Sequence, residues 1–301
     1  MLSKIDIDKE LGKGINIVPF DYKNIKENSI NLSASNYAWS MSDGEVKFDE
    51  NGNIFTENST EYNKEGNIKI LKGESSVYTI LGEEVVILLP FSTTLIQTNE
   101  VIAVSNYIGG TYHSKVGIVS QGIGHIGTML GPNFAGHSLI AVHNVSNIPL
   151  KIKVKETFVS IVFHYLNSPI DVKNATVNGH IDKMAPFGIH LDLEDAEFLN
   201  DDWKSNLDQV REEMNKDSNF KDYKRTLWKR MYKKFLKYIN WKSFLAVVIF
   251  FVLLYCSYLY ASYLDLKIQN PVWVDRFWTV GCSGIFIFIA QVFLSVIKKL
   301  E

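Results

Sequence analysis

Segments rich in β-forming apolar residues dominate the middle of the chain, from Ser76 to Tyr165. Val, Ile, Thr, Phe and Tyr recur in short runs, and Gly, Pro or Asn separates several of them, which predicts strands. The short spacing leaves no room for crossover helices, so the pattern favours an antiparallel barrel or sandwich over an α/β sheet. The predicted strands are Val77–Leu81, Val85–Leu89, Thr93–Gln97, Ile102–Val104, Leu139–His143, Ile152–Val154 and Phe158–Tyr165.

The chain before this region predicts smaller elements. Ile5–Leu11 has the pattern of a short helix closed by glycines. Ile15–Val18 is a short apolar strand, and Ser29–Leu32 begins another extended piece. Asp43–Gly66 is rich in Asn, Gly, Glu and Ser, and it predicts hairpin loops.

The chain after the predicted strands changes from irregular to helical. Asn167–His190 shows no clear period, whereas Leu191–Asn219 is acidic and predicts helix. Phe220–Asn240 is basic and carries apolar residues at helical spacing. This apolar stripe can pack on the domain, pair with a neighbouring subunit or lie in a membrane interface. We favour the first two together, because the helix must lead directly into the segment that follows.

Two uncharged apolar runs, Phe244–Leu264 and Phe277–Ile297, close the sequence. Each has about the twenty residues that a helix needs to cross a bilayer, where only a helix satisfies the backbone polar groups of such a run. The runs predict a transmembrane hairpin, and the alternative is two buried helices of a globular protein. Aromatic side chains near the run ends are placed as interfacial anchors would be: Trp241, Tyr263, Trp273 and Trp278.

Positive charge is concentrated just before the first run. Lys and Arg recur between Lys221 and Lys242, where Asp222 is the one acidic residue. Short basic segments stay on the cytoplasmic side of a membrane, where anionic lipid attracts them. Two lysines also follow the second run, so we expect a bacterial inner-membrane protein with two spanning helices and both termini in the cytoplasm. Met1–Gly14 has no apolar core, so no signal peptide is expected.

The expected organisation has three parts: a β-barrel domain over 1–170, a linker and charged helical connector over 171–240, and the hairpin over 241–301. The net charge of −2 argues against a nucleic-acid binder. Cys256 and Cys282 are the only cysteines and both lie in the apolar runs. The preceding domain therefore forms no disulfide of its own, which fits a reducing compartment.

Glycine is dense between Gly109 and Asn144, with polar side chains interleaved. Glycine lets a backbone approach a ligand closely and take positive φ, so the segment fits a ligand-binding loop. It equally fits a set of tight barrel turns and bulges. Five of the seven histidines lie between residues 113 and 164, but no pair has a typical metal-ligand spacing, so we favour strand histidines with backbone partners over a metal site. These are His113, His125, His137, His143 and His164.

Two stretches of the sequence resemble the dCTP deaminase/dUTPase superfamily. In the first, Pro19-Phe20-Asp21 followed by Ser29-Ile30-Asn31-Leu32 is similar to the deaminase opening, in which I-x-P-F-D precedes S-V-D-L. The second runs from Val86 through Leu166 and contains the glycine-rich segment and a closing strand. Together they cover about Met1–Leu166, a little over half of the chain.

The resemblance implies a mainly β fold, a distorted jelly-roll β-barrel that is usually assembled as a homotrimer. It implies sites between subunits that bind a pyrimidine deoxynucleoside triphosphate with Mg²⁺. The phosphate element R-S-S of the family falls on His113-Ser114-Lys115, where Lys115 offers a point charge suited to phosphate or is a solvated strand end. The candidate ligand-binding residues are His113, Ser114, Lys115, Gln121, His125, Asn133 and Phe134.

The sequence departs from the family pattern at the carboxylates. The family hairpin I-D-P-G-F-x-G aligns with Leu130–Gly136, so Gly131 stands at the Asp, and the Glu of the deaminase T-L-E-L falls on Ala141. Both chemistries need a carboxylate that takes a proton from water, so no catalytic residue is predicted. A histidine is a weaker candidate for a substitute base, because it must also reach the geometry of the lost carboxylate; the three considered are His125, His137 and His143.

We therefore expect a membrane-anchored nucleotide-binding sensor or effector with a catalytically silent dUTPase-like domain. A nucleotide or cyclic nucleotide, with Mg²⁺ if it is a triphosphate, would control an assembly of transmembrane helices in a homotrimer or higher homo-oligomer. Membrane-disrupting anti-phage effectors offer an analogy for this plan. One alternative is an active membrane-tethered dUTPase or dCTP deaminase of pyrimidine deoxynucleotide metabolism, with its carboxylate supplied by Glu83, Glu84 or Glu100. Another is a trimeric scaffold.

Overall fold

The computed structural model describes residues 1–56, 66–125, 127–170, 184–189, 191, 193–199 and 201–238, together with short helical pieces at 251–252, 255–256, 258–260, 262–263 and 266–267. Its contacts divide the chain into two compact units, Met1–Tyr223 and Lys224–Glu301. The first unit is mainly β, as the sequence predicts, and its named strands pair antiparallel in three sheets.

The strands and helices follow one another with short connections. The strands are β1 Ile15–Val18, β2 Ile30–Ser40, β3 Gly44–Phe48, β4 Ile54–Phe55, β5 Gly66–Ile70, β6 Val77–Ile80, β7 Glu83–Leu88, β8 Ser92–Val104, β9 Ile108–Ser114, β10 Ile123–His125, β11 Met129–Leu130, β12 Ala135–Asn144, β13 Leu150–Lys153 and β14 Thr157–Tyr165. The α-helices are α1 Lys4–Glu10, α2 Val116–Val119, α3 Leu193–Leu199, α4 Leu207–Lys216 and α5 Ser218–Tyr238. Short 3-10 turns lie at Tyr22–Asn24, Ala185–Phe187 and Asp202–Ser205.

The large sheet runs in the order β10-β12-β8-β2-β14-β9-β11, with β1 added beside β8. Strand β8 is its central piece, because it pairs with β1, β2 and β12. The sequence predicts two strands here, separated by Thr98–Glu100, but the structure has one of 13 residues. The polar residues do not end the strand because they are satisfied inside the sheet: the Thr98 hydroxyl donates to the Glu100 carbonyl at 2.9 Å.

Strand β12 is also longer than the predicted Leu139–His143, because it already begins at Ala135. Its register against β8 shifts between His137 and Leu139, which marks a bulge. A bulge inserts an extra residue and changes the direction of neighbouring side chains. The bulge therefore lies between the glycine-rich turn and the position where the family pattern has its Glu.

The predicted hairpin loops of Asp43–Gly66 form a small sheet of order β4-β3-β5, and residues 57–65 of this segment lie outside the described part of the chain. A second small sheet has the order β13-β7-β6. Buried side chains from both small sheets share one apolar cluster, which joins the two small sheets to each other. The cluster contains Val46, Ile68, Ile70, Ile80, Val85, Ile87 and Leu89.

Helix α1 confirms the predicted N-terminal helix, with bounds shifted by one residue. Ser3 caps it in a reciprocal arrangement, since its backbone N–H donates to Asp6 Oδ2 at 3.1 Å while its side chain accepts from the Asp6 N–H. Ile7 anchors the helix, because its side chain is fully buried.

The segment after β14 packs on the outer face of the large sheet. We call the described residues 184–189, 193–199 and 201–205 the cover segment. Its apolar side chains Met184, Ile189 and Leu199 form a buried cluster with Trp39 of β2 and Leu95 of β8. Helix α4 continues the layer, where Val210 packs with Val101, Ala103 and Ala135. The part of Leu191–Asn219 that is described is helical as predicted, and it belongs to the compact first unit.

The start of α5 is held by the N-terminal segment of the same unit. The Phe20 ring lies 5.1 Å from that of Phe220 and 5.4 Å from that of Tyr223. The Phe20 N–H donates to Asp217 Oδ2 at 3.1 Å. The N-terminal end of α5 therefore packs on the N-terminal segment of the first unit.

No helix within the described residues is both long enough and apolar enough to cross a membrane. Most of the predicted run Phe244–Leu264 and the whole of Phe277–Ile297 lie outside those residues. The pieces of the first run that are described, such as Tyr258–Tyr260, are helical. The transmembrane hairpin therefore stays a prediction.

Candidate functional site

A tight turn between β11 and β12 forms one wall of the candidate site. Pro132 and Asn133 occupy its centre, and the Phe134 N–H closes it by donating to the Gly131 carbonyl at 3.3 Å. Asn133 has a φ of 64°, a left-handed conformation that Asn tolerates better than most residues. The Asn133 N–H donates to the Ser105 carbonyl at 3.2 Å, which ties the turn to the end of β8.

A cleft of about 160 Å³ opens beside this turn. None of the described residues that line it is charged, and most are apolar. A site of this kind suits an uncharged ring better than a phosphate, because a buried unpaired charge is costly. The lining includes Tyr112, Leu130, Gly131, Phe134, Ser138 and Ile140.

Two hydroxyls provide the main polar side-chain contact of the cleft. Tyr112 Oη and Ser138 Oγ lie 2.5 Å apart, and both residues are buried. The Ser138 N–H also donates to Thr98 Oγ1 at 2.9 Å, which fixes the bulged part of β12. Burial raises the pKa of the Tyr112 phenol, so it remains a neutral hydrogen-bonding group. Tyr112 and Ser138 were not predicted from the sequence, because the bulge at Ser138 is visible only in the pairing of β12 with β8.

Gly131 and Ala141, where the resemblance predicts that the family carboxylates are missing, have different surroundings. Gly131 lines the cleft, and a Cβ built on it meets no atom within 4 Å. Ala141 lies on the outer face of β12, opposite Leu95 in register. It packs at the edge of the apolar cluster formed with the cover segment. A carboxylate at Gly131 would face open space, whereas one at Ala141 would face buried apolar side chains.

The predicted phosphate element lies at the end of β9. His113 is exposed, and its Nε2 is 2.9 Å from Thr111 Oγ1. Ser114 is half-buried and pairs with Val159 in register. Lys115 caps α2, and its Nζ donates to the Thr157 carbonyl at 2.9 Å as well as to the Thr157 hydroxyl.

Lys115 is partly desolvated in this arrangement. Burial lowers the pKa of its ammonium. Its hydrogen bonds to Thr157 use ammonium donors that a bound phosphate would otherwise accept from. The phosphate-binding role of Lys115 stays a prediction, and it requires that a ligand displace the Thr157 contacts.

The remaining predicted ligand residues are divided between two places. Gln121 is exposed and donates to the Gly117 carbonyl at 3.1 Å. His125 pairs with Val142 through its backbone, and its side chain lies outside the described part of the structure. Phe134 is buried and lines the cleft, whereas Asn133 shapes the turn. Within one chain, His113, Ser114 and Lys115 follow Tyr112 in the sequence but do not line the cleft.

None of Glu83, Glu84 and Glu100, the carboxylates considered as substitutes, lines the cleft. Glu83 forms an ion pair with Lys153 at 2.8 Å on a small sheet, and Glu84 is exposed on the same strand. Glu100 is buried and accepts from the Ser33 N–H at 2.8 Å and from the Ser33 hydroxyl at 2.6 Å. Burial raises the pKa of the Glu100 carboxyl above its ordinary value of 4.5, and the Ser33 contacts oppose that shift.

Two polar side chains are buried under the cover segment. His137 Nδ1–H donates to the Thr98 carbonyl at 2.9 Å, and its ring lies 6.4 Å from that of Phe198. Burial lowers the pKa of His137 to about 4, so the ring is neutral at physiological pH. Gln97 is 1% exposed, and neither atom of its amide has a hydrogen-bond partner among the described residues.

A buried lysine of the cover segment lies close to this pair. Lys204 Nζ donates to the Phe198 carbonyl and lies 3.4 Å from the centre of the Phe198 ring. The cover segment therefore buries a histidine, an amide and an ammonium on a face that is otherwise apolar.

The described residues contain no group of three or more His, Cys, Asp or Glu arranged to hold a metal ion. The donor set at the cleft is hydroxyls and backbone groups, which do not fit a protein-held Mg²⁺ on their own. Mg²⁺ remains expected only as the companion of a bound nucleotide.

No family model matches the sequence. One curated relative, a dUMP-forming dCTP deaminase from Nanoarchaeum equitans (strain Kin4-M), is 27% identical over 164 residues, which cover 54% of this chain and 80% of the relative. The chain therefore contains a distant dCTP deaminase/dUTPase-like domain.

Solved structures of a dCTP deaminase and a dUTPase align with part of this chain. A dCTP deaminase from Agrobacterium tumefaciens aligns with a TM-score of 0.37 and 9% identity, over 55% of this chain and 48% of that one. A dUTPase of Staphylococcus bacteriophage 80alpha, a variant with dUpNHpp, aligns with a TM-score of 0.26 and 16% identity, over 34% of this chain and 88% of that one. The chain thus spans about half of the length of the deaminase structure.

Proposed function

We propose that the dCTP deaminase/dUTPase-like domain binds a nucleotide without converting it, and that it acts as a sensor at a membrane. The cleft beside Gly131 would take the base, with Tyr112 and Ser138 as the polar contact. The phosphates would extend toward His113-Ser114-Lys115 of a neighbouring subunit in a homotrimer. The hairpin formed by Phe244–Leu264 and Phe277–Ile297 would carry the response.

The observation that carries this proposal is the absence of a carboxylate from the cleft lining. Among the described residues that line it, only hydroxyls and backbone groups are polar. A neutral hydroxyl cannot accept a proton from water near neutral pH, so it cannot replace Asp or Glu as a general base. The cleft can therefore recognise a ring, but it lacks the group that both family chemistries use.

The placement of Ala141 supports the same conclusion. Its position faces the cover segment rather than the cleft, so the second lost carboxylate could not be restored by a small rotamer change. The substitutes Glu83 and Glu100 are held by Lys153 and by Ser33, respectively. Recruiting either would break those contacts and move a strand.

The proposed response involves the C-terminal half. Because α5 is anchored by Phe20 and leads toward the first apolar run, a change in the domain or its subunit contacts would be passed to the hairpin through this helix. A single hairpin encloses no pore, so a permeability change would require several subunits. The ligand would be a nucleoside triphosphate with Mg²⁺ or a cyclic nucleotide, and an inner-membrane anti-phage effector is the corresponding biological role.

Calorimetry on the purified full chain in lipid nanodiscs tests the proposal. We expect binding of at least one of dUTP, dCTP or a cyclic mononucleotide, and no release of dUMP, pyrophosphate or ammonia with Mg²⁺ over hours. Gly131→Leu should abolish binding by filling the cleft, whereas Gly117→Leu, which also meets open space but lies outside the cleft, should not. Binding by neither wild type nor control would contradict the proposal.

The second candidate is an active membrane-tethered enzyme, favoured by the curated relative being a dUMP-forming dCTP deaminase. It predicts turnover of dCTP or dUTP in the same assay. Turnover that persists in Glu100→Gln and is lost in Gly131→Leu would place an unrecognised catalytic group in the cleft, and the silent-domain proposal would then be wrong.

A further inference from the structure

The part of α5 from Lys224 to Tyr238 carries an exposed aromatic face. Trp228, Met231 and Tyr232 are spaced three and four residues apart, so they share one side of the helix. They are 67%, 61% and 51% exposed, respectively. The rings of Trp228 and Tyr232 stack at 5.9 Å with an angle of 5° between their planes. Together they form a contiguous apolar patch, here called the aromatic face, that soluble surfaces rarely expose.

The same part of the helix is strongly basic. No Asp or Glu occurs between Lys224 and Tyr238. The exposed basic side chains are Lys224, Arg225, Lys229, Arg230 and Lys233. At about 3.6 residues per turn, Lys224 shares the side of the aromatic face, Arg225, Lys229 and Lys233 follow one edge of it, and Arg230 lies on the opposite side. A surface that contacts the aromatic face therefore also contacts positive charge along that edge.

This positive charge favours an anionic lipid surface over a second copy of the helix as the partner of the aromatic face. A second copy of Lys224–Tyr238 would bring like charges close together, which is unfavourable, because the segment contains no Asp or Glu. An anionic lipid surface supplies the opposite charge and a region in which Trp and Tyr rings sit with one edge apolar and the other hydrated. An amphipathic helix with a basic side and Trp on the apolar side has the composition of an interfacial helix.

We propose that Lys224–Tyr238 docks on the headgroup region of an anionic leaflet through Trp228, Met231 and Tyr232. The inference deepens the proposed function by naming the chemistry of its lipid partner, and it does not depend on nucleotide binding. It requires only that the helix lie near a bilayer, which the uncharged run beginning at Phe244, six residues after the helix ends, would bring about.

A fluorophore on the aromatic face tests the proposal in the full chain. Met231→Cys is labelled with NBD in a Cys256→Ser, Cys282→Ser background, which removes the other cysteines, and the protein is reconstituted into phosphatidylcholine vesicles with or without phosphatidylglycerol. We expect a blue-shifted emission that grows with the phosphatidylglycerol fraction and is reversed by salt, because screening weakens surface electrostatics.

A matched pair of charge variants separates this site from general attraction. Arg225→Gln/Lys229→Gln/Lys233→Gln should reduce the apparent affinity for phosphatidylglycerol by roughly fivefold per charge removed. Lys69→Gln/Lys72→Gln/Lys155→Gln makes the same change in net charge at exposed positions of the first unit and should leave the emission unchanged. An equal loss in both variants would overturn the proposal.

Two further outcomes also count against it. An emission that is independent of lipid charge means that the aromatic face does not meet the headgroups. Cross-linking between copies through Met231→Cys in detergent, combined with the same emission in all vesicles, means that a second copy covers the face. Neither outcome bears on nucleotide binding, which calorimetry measures separately.

Discussion

The Tyr112 hydroxyl and the Ser138 hydroxyl form a buried pair, 2.5 Å apart, where β9 faces the bulge of β12. The pair joins the wall of the cleft to the bulge, because the Ser138 N–H is also held by Thr98. It therefore has two roles that can be measured apart: it stabilises the domain, and it presents hydroxyls to whatever enters the cleft.

A double-mutant cycle on this pair should show coupling. We expect Tyr112→Phe and Ser138→Ala each to lower the free energy of unfolding by about 1 kcal/mol, because each leaves a buried hydroxyl without its partner or removes the bond. The double variant should cost clearly less than the sum of the singles. Urea unfolding followed by circular dichroism measures all four proteins, and strict additivity would show that the two hydroxyls do not interact.

Gly131→Asp should be tolerated by the fold. Its Cβ meets no atom within 4 Å, and its φ is not positive, so we expect a change in the free energy of unfolding of no more than about 0.5 kcal/mol. Gly73→Asp is the matched control and should be clearly destabilising, because Gly73 has a φ of 81° and its Cβ would lie 2.2 Å from the Gly188 carbonyl oxygen. Thermal unfolding of the two variants checks this difference, and equal melting temperatures would contradict the description of the turn.

Ala141→Glu should be destabilising even though it introduces the residue that the resembled deaminase pattern has at this position. The side chain would enter the apolar cluster that contains Trp39, Leu95 and Leu199, where an unpaired carboxylate is costly. We expect a loss of about 2 kcal/mol at pH 7, and a smaller loss for Ala141→Gln, which carries no charge. A neutral effect of Ala141→Glu on the midpoint of unfolding would show that the cover segment leaves this position open to water.

The accuracy of the fold prediction depends on where the hydrogen-bond partners of the polar residues lie in the sequence. The strand pattern and helix α1 were predictable, because apolar periodicity and a capping serine act locally. The break assigned at Thr98–Glu100 was wrong, because the partners of those polar groups, Ser33 and Ser138, are distant in sequence. Local pattern cannot show such partners.

The candidate site was predictable only in part. The turn at Gly131 was predicted from the resemblance, whereas the missing carboxylate at Ala141 stays a prediction. That Lys115 does not line the cleft and instead contacts Thr157 was not predicted, because Thr157 is distant in sequence. The packing of the cover segment on Trp39 and Leu95 was also not predicted, since its residues carry no motif.

Gln97→Leu should stabilise the protein. The Gln97 amide is buried against the cover segment, and among the described residues neither of its polar atoms has a partner. Replacing an unsatisfied polar group by an apolar one of similar volume removes its desolvation cost, so the free energy of unfolding should rise by about 1 kcal/mol. Gln121→Leu, at an exposed position with a solvent-side contact, is the control and should have little effect. A loss of stability in Gln97→Leu would mean that the amide is satisfied in solution.

His137 should make the stability of the domain depend on pH between about 6.5 and 4. Burial under the cover segment lowers its pKa from 6.5 to about 4, the Thr98 carbonyl opposes that shift, and the charge of Lys204 adds to it. In this window the unfolded chain binds a proton that the folded protein does not, so stability is present above pH 6.5 and is lost as the pH falls. The loss should approach about 3 kcal/mol near pH 4.

The difference in free energy of unfolding between wild type and His137→Gln, measured at steps of half a pH unit, isolates this effect from the carboxyl groups. It should shift in favour of the variant as the pH is lowered. A difference that stays constant across the window would mean that the ring titrates normally, and hence that the cover segment does not bury it.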